Sequence, residues 1–484
     1  MKSKEISARK PAQAASAEAC RNALVVKGGT VFTASDTFQA DILVRGGKIA
    51  AIADVIAYPG AQVVDASGLE VYPGGVDVHT HFELPFMGTV SADDFESGTI
   101  AAACGGTTTI IDFVIPSKGR GLLEALETWR GKAAGKAAVD YGFHMALVEY
   151  DDRVASELPE VVREGITSFK CFMAYKGAFM MDDSQLLDVL AAATRVGGLV
   201  SVHAENGDML VNIMARLLKE GKTGPAYHPV GHPAAAEGEA AHRAIALAKT
   251  AGAPLYFVHL SCNEALEEVK AARLAGQCVL AETCPQYLLL DESLYRKNGF
   301  EAAKWVMSPP LRDKSNQCKL WQGLADGFIQ GVATDHCSFR FSGQKDMGKD
   351  DFTKIPNGIP AVGDRVNLLY TYGAQKGRLS RNQFAAVTAT NPAKIFGLYP
   401  QKGTIAIGSD ADLALFDPKK KGVISKETAR HRVDYSAFEG FELEGSATVV
   451  ISRGEVVAKD NVFAGRKGRG AYVRRKEFDG GAWR

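Results

Sequence analysis

TSFKCFMAYKGAFMMDDSQLLDVLAAATRVGGLVSVHA, residues 167–204, decides the fold. It opens and closes on short apolar runs, TSFKCF (167–172) and LVSVHA (199–204), with the composition of buried parallel strands. Between them, residues 183–195 set Leu186, Leu187, Leu190 and Ala191 on one helical face. Asp183 is placed to cap that helix and Gly197-Gly198 to stop it. Strand, helix, strand is a right-handed βαβ unit.

The same rhythm spreads in both directions. Further runs are VDVH (76–79), TTTIIDF (107–113), YGFHMALV (141–148), LYFVHL (255–260), CVLAETC (278–284) and QGVATD (330–335). Another helix spans 263–275, with Asn263 as cap and Gly276 as stop. Eight units predict a (β/α)8 TIM-like barrel over residues 75–400, with a doubly wound open sheet as the alternative. The ends differ. LVVKGGTVFTA and DILVRGGKIAAIA near the start, and DLALF and TVVISRGEVVA near the end, read as hairpins. Neither end is large enough for its own core. Residues 23–74 and 401–464 are therefore expected to join in one small β-sandwich into which the barrel is inserted. Residues 1–22 read as a loose tail. The basic stretch 465–484 reads as a second tail, either solvated or docked on a neighbouring subunit.

Composition narrows the function. The chain has 484 residues, with Lys+Arg and Asp+Glu both at 56. Zero net charge argues against bulk binding of nucleic acid or anionic membrane. No apolar run reaches the roughly 18 residues that a membrane span needs. The eight cysteines form no Cys-x-x-Cys pair, and the N-terminus lacks the apolar core of a signal peptide. These features point to a cytoplasmic protein with free thiols.

The histidines carry the chemistry. His79 and His81 flank Thr80 at the end of the first strand, and residues i and i+2 of a strand point the same way. His203 ends strand five, His259 strand six and Asp335 strand eight. All fall at the C-terminal mouth, where barrels build active sites. Four imidazoles and a carboxylate exceed what one open tetrahedral zinc takes, and suit two ions sharing a bridge. Nitrogen and oxygen donors fit zinc, and also manganese, cobalt or iron. Lys170, at the end of strand four, has two readings. Its side chain turns outward or meets a carboxylate, or it is carboxylated by carbon dioxide into a bridging carbamate. His144, inside YGFHMALV, reads as a core residue, and His336 and Cys337 as supporting or packing groups.

VDVHTH (76–81), SFKCFMAYKG (168–177), SVHAENGD (201–208), YFVHLSC (256–262), MSPPLR (307–312), ATDHCSF (333–339) and IPNG (355–358) resemble the dihydropyrimidinase/D-hydantoinase family of cyclic amidohydrolases. The resemblance runs from about residue 23 to 475, with the motifs in family order. It implies that His79, His81 and Asp335 bind a buried metal, that His203 and His259 bind an exposed one, and that carboxylated Lys170 bridges both. It implies two divalent ions per subunit, zinc foremost, and a homotetramer or dimer. Tyr175 would donate to the substrate oxygen, and Ser308 and Asn357 would hold the cyclic amide largely through main-chain groups. Asp335 would carry the proton from a metal-bridging hydroxide to the leaving nitrogen.

The implied reaction opens a –CO–NH–CO– ring of a dihydropyrimidine or hydantoin to an N-carbamoyl amino acid. Leu84, Met87, Phe172 and Phe179, with Phe86, make the loops after strands one and four apolar. They read either as ordinary loop packing or as a pocket for the ring substituent. Related dihydroorotases place an Arg two residues after His-x-His. Glu83 stands there, which favours a small neutral ring over an anion. An allantoinase-like activity and a non-catalytic scaffold relative are the alternatives. The scaffold relatives have lost the ligand set, which is complete in this sequence.

Overall fold

The computed structural model describes residues 23–297 and 299–483, so the expected N-terminal tail lies outside the described residues. The runs picked out above form one parallel sheet. Its strands are β1 (Gly75–Thr80), β2 (Thr107–Val114), β3 (Asp140–Ala146), β4 (Ser168–Phe172), β5 (Leu199–His203), β6 (Leu255–Phe257), β7 (Val279–Thr283) and β8 (Gly331–Val332). Each pairs with its neighbour in sequence order. The ring closes just beyond β8, where Thr80 bridges His336 in parallel and the His81 N–H donates to the His336 carbonyl at 2.8 Å. A barrel, not an open sheet, is the outcome. Every residue of β1 to β8 is buried, which is why these strands read as unbroken apolar runs rather than alternating ones.

Helix boundaries fall within a residue of expectation, but the caps shift. Asp182, not Asp183, caps Asp183–Arg195, in a reciprocal capping box with Gln185. Asn263 is the first residue of Asn263–Leu274, with Cys262 at the cap position and no side-chain cap bond there.

The two chain ends meet in a second, mostly antiparallel sheet. Glu70–Pro73 pairs in parallel with Ala23–Phe32 on one side and antiparallel with Leu413–Val423 on the other. Val71 therefore sits between Val31 and Leu415. Val26, Val31, Ile42, Leu413 and Ile451 share one apolar core, which neither end could close alone.

The basic stretch after residue 465 is not a free tail. Its backbone runs under the starts of the barrel strands. Tyr141 N–H donates to the Ala471 carbonyl, Val473 N–H to that of Tyr141, and Phe478 N–H to that of Gly197. Val473, Phe478 and Trp483 pack on Val76, Leu199 and Tyr256 at the floor of the barrel. Arg475, buried, donates to the Phe143 carbonyl and to Ser168 Oγ. Arg475 thus turns inward, whereas Arg466, Lys467 and Arg474 stay exposed and pair with Glu455, Glu96 and Glu164.

Candidate metal centre and substrate pocket

A pocket opens at the C-terminal mouth. His79, His81, Lys170, His203, His259 and Asp335 all line it. The strand ends bring them together in two clusters. His79 Nε2 and His81 Nε2 lie 3.1 and 3.2 Å from the same oxygen, Asp335 Oδ1. Their ligand atoms fall within 4.8 Å of one another. In the second cluster His203 Nδ1 faces His259 Nε2 at 2.9 Å. Nitrogens that converge this closely suit two donors on one cation. The donor set therefore fits two divalent ions of the zinc type.

Lys170 reaches in between, 98 % shielded from solvent, with Nζ above the rings of Phe113 and Phe172. Burial pulls its pKa down to about 8, against the pull of Asp335 and Glu282. Burial also drives His79 well below the ordinary imidazole range; Asp335 opposes this and Lys170 adds to it. His259 is pushed the same way by burial, His203 and Lys170. Neutral imidazoles are the metal-binding form.

Two carboxylates that sequence reasoning missed aim these rings. Glu282 on β7 contacts His79 Nδ1 at 2.5 Å and accepts from the Tyr256 hydroxyl at 2.8 Å. Glu205, just past β5, contacts His203 Nε2 at 2.9 Å and His232 Nδ1 at 3.0 Å. Each leaves the opposite ring nitrogen free for a cation. The only sequence signal was an acidic residue inside or just beyond a wholly buried strand. His336 is wholly buried and does not line the pocket. It pairs with Asp93 at 3.2 Å, and its Nδ1 accepts from the Ala361 and Val362 N–H groups. His144 is satisfied in the core by Ser168 and the Val78 carbonyl.

Above the clusters, Tyr175, Ser308 and Asn357 line the pocket wall. Burial, then Glu205 and Asp335, raise the Tyr175 hydroxyl far above its usual pKa, so it stays protonated and able to donate. Asn357 Nδ2 donates to Ser308 Oγ at 2.8 Å. Gly358 beside them has φ 145°, and a Cβ there would sit 2.2 Å from the Cys337 carbonyl oxygen, so this wall requires glycine. Leu84, Phe86, Phe172 and Phe179 form the apolar side, with the Phe86 and Phe179 rings stacked 6.3 Å apart. Ile115 and Met307 also line it and were not foreseen. Met87 is the exception among the expected contacts. It has φ 48° and lines an adjoining pocket with His228, His232 and Phe352 instead.

Glu83 also behaves differently from expectation. Its carboxylate lies 3.7 Å from Lys136, and it does not line the pocket.

A sequence profile of the Amidohydrolase family matches residues 71–457. The D-hydantoinase of Geobacillus stearothermophilus is 52% identical over 455 residues, covering 94% of this chain and 97% of that protein. The D-hydantoinase of Streptomyces coelicolor is 48% identical over 456 residues, covering 93% and 97%. The crystal structure of a dihydropyrimidinase from Brevibacillus agri NCHU1002 superposes with a TM-score of 0.94 at 51% identity, covering 94% and 99%. The chain belongs to the amidohydrolases, in their dihydropyrimidinase/D-hydantoinase family.

Proposed function

We propose that this protein hydrolyses the ring amide of hydantoins and 5,6-dihydropyrimidines, releasing N-carbamoyl amino acids. The observation that carries the reading is the pair of donor clusters flanking Lys170 beneath Tyr175, Ser308 and Asn357. His79, His81 and Asp335 would hold the inner cation, and His203 and His259 the outer. Zinc is the ion we favour. The neutral amine of Lys170 is the form that adds carbon dioxide: Nζ forms the N–C bond and gives up a proton, leaving an anionic carbamate between the clusters. That change turns a repelled ammonium into a bridging ligand.

When bound, the two cations supply a strongly acidified water and a Lewis acid for the scissile carbonyl. The protein groups do the rest. Ser308 and Asn357 orient the ring by its amide edge. The Tyr175 hydroxyl donates to the carbonyl oxygen as negative charge develops there. A carboxylate oxygen of Asp335 accepts the proton of the attacking water and delivers it to the ring nitrogen as the C–N bond breaks. Leu84, Phe172 and Phe179 would bound the space for the ring substituent.

We also propose a cytoplasmic homotetramer, on the strength of the family resemblance. Among the described residues no helix is long and apolar enough to cross a membrane. Light scattering at the mass of a monomer would overturn the assembly.

The deciding experiment is a kcat/KM panel with metal analysis of the purified protein. It compares dihydrouracil, hydantoin, 5-substituted hydantoins of each hand, and allantoin. Turnover of the first rings with about two metals per subunit is expected. Absence of tightly bound metal, or turnover of allantoin alone, would overturn the reading. In the same panel Phe179→Ala should change the ratio of bulky to small substituents about tenfold. An unchanged ratio removes the pocket assignment.

A further inference from the structure

Lys345 is a wholly buried amine that none of the steps above uses. Among the described residues no carboxylate lies within ion-pair distance of it; the titratable groups that face it are Cys337 and His228. Burial without a counter-charge pulls its pKa down to about 7, and a buried amine still needs partners for its donors. Its bonds go to two carbonyls on different loops, Val306 at 2.9 Å and Pro356 at 3.0 Å. Val306 stands two residues before Ser308, and Pro356 directly before Asn357.

The neighbouring groups complete a frame. The Gly358 N–H donates to the Val306 carbonyl at 3.0 Å. His228 Nε2 contacts the Met307 carbonyl at 2.7 Å. The Asn357 amide closes on Ser308 Oγ. The consecutive carbonyls of Val306 and Met307 on one side, and that of Pro356 on the other, are thus held by buried donors. Lys345 donates to both loops at once.

We propose that Lys345 is a positioning residue for substrate: its Nζ fastens the Ser308 loop to the Asn357 loop and fixes the main-chain groups that hold the ring amide. This rests on the assignment of Ser308 and Asn357 made above. A lysine nitrogen suits the task because it directs at least two donors from a single small centre. An apolar residue of the same length would fill the space, take away the Pro356 carbonyl's donor and leave the Val306 carbonyl with the Gly358 N–H alone.

The test uses Lys345→Met and Lys345→Gln in the full, metal-loaded protein, with hydantoin and dihydrouracil as substrates. For Lys345→Met, KM should rise about tenfold while kcat stays within about threefold and metal content equals that of the wild type. Lys345→Gln, which reaches one carbonyl at most, should raise KM about threefold, and it decides the matter if the methionine variant does not fold. Wild-type KM with only a lowered melting temperature would make Lys345 structural and overturn the inference. So would loss of metal in proportion to activity. A wild-type protein that opens none of the rings overturns the proposed function and this inference together. An active wild type with unchanged KM in both variants overturns the inference alone.

Discussion

The two ends of the barrel are built from the same strands and are treated in opposite ways. At the mouth, Glu83, Met87, Tyr175, His259 and Asp335 all adopt positive φ without being glycine. Such backbone is unfavourable by about 1–3 kcal/mol per residue and survives only where the surroundings hold it. At the floor, the segment after residue 465 satisfies strand-start carbonyls and inserts Val473 and Phe478 into an apolar cluster. One end stores strain and convergent polar groups; the other dissipates neither and supplies packing. Substitutions at the mouth should therefore remove activity with little loss of stability, and those at the floor the reverse.

The sharpest test is Lys170→Ala. It should lower kcat/KM on the order of 10⁴-fold and remove both metals, leaving the fold intact by circular dichroism. Zinc binding equal to wild type would refute the bridging role. Tyr175→Phe comes next, with kcat down about 10²–10³-fold, since one donor to the developing oxyanion is lost. If KM alone changes, the hydroxyl is a binding group only. Glu205→Gln should weaken one of the two bound ions about 10–100-fold, measured by chelator competition, and leave the other. Equal weakening of both would break the division into two clusters. Arg475→Met at the floor should cost about 2–3 kcal/mol of stability by urea unfolding, with kcat unchanged. A fall in kcat at unchanged stability would erase the contrast between the ends.

The barrel was legible because burial on both faces makes each strand a continuous apolar run, and the histidines stand at equivalent places after those runs. The convergence of His79, His81, Lys170, His203, His259 and Asp335 on one pocket was legible for the same reason. Glu205 and Glu282 were not, because a carboxylate that aims an imidazole looks like any other acid until the fold brings it there. Lys345 was silent too: its partners are carbonyls, which no side-chain pattern reports. The final segment misled because positive charge in a chain terminus ordinarily means solvent. Arg475 instead spends its donors on buried oxygens. Met87 misled because spacing along a loop does not fix a backbone turn to positive φ.

The sheet shared by the two ends has a consequence for synthesis. Glu70–Pro73 emerges from the ribosome early, yet its partner Leu413–Val423 comes near the end. At about 5–20 residues per second, the delay is on the order of 20–70 s. Throughout that interval one edge of the early strands has no mate, while the barrel's own repeating units can already assemble. The nascent chain thus carries an adhesive edge for most of its translation, and its yield in a cell depends on what shields that edge until roughly the last seventy residues arrive.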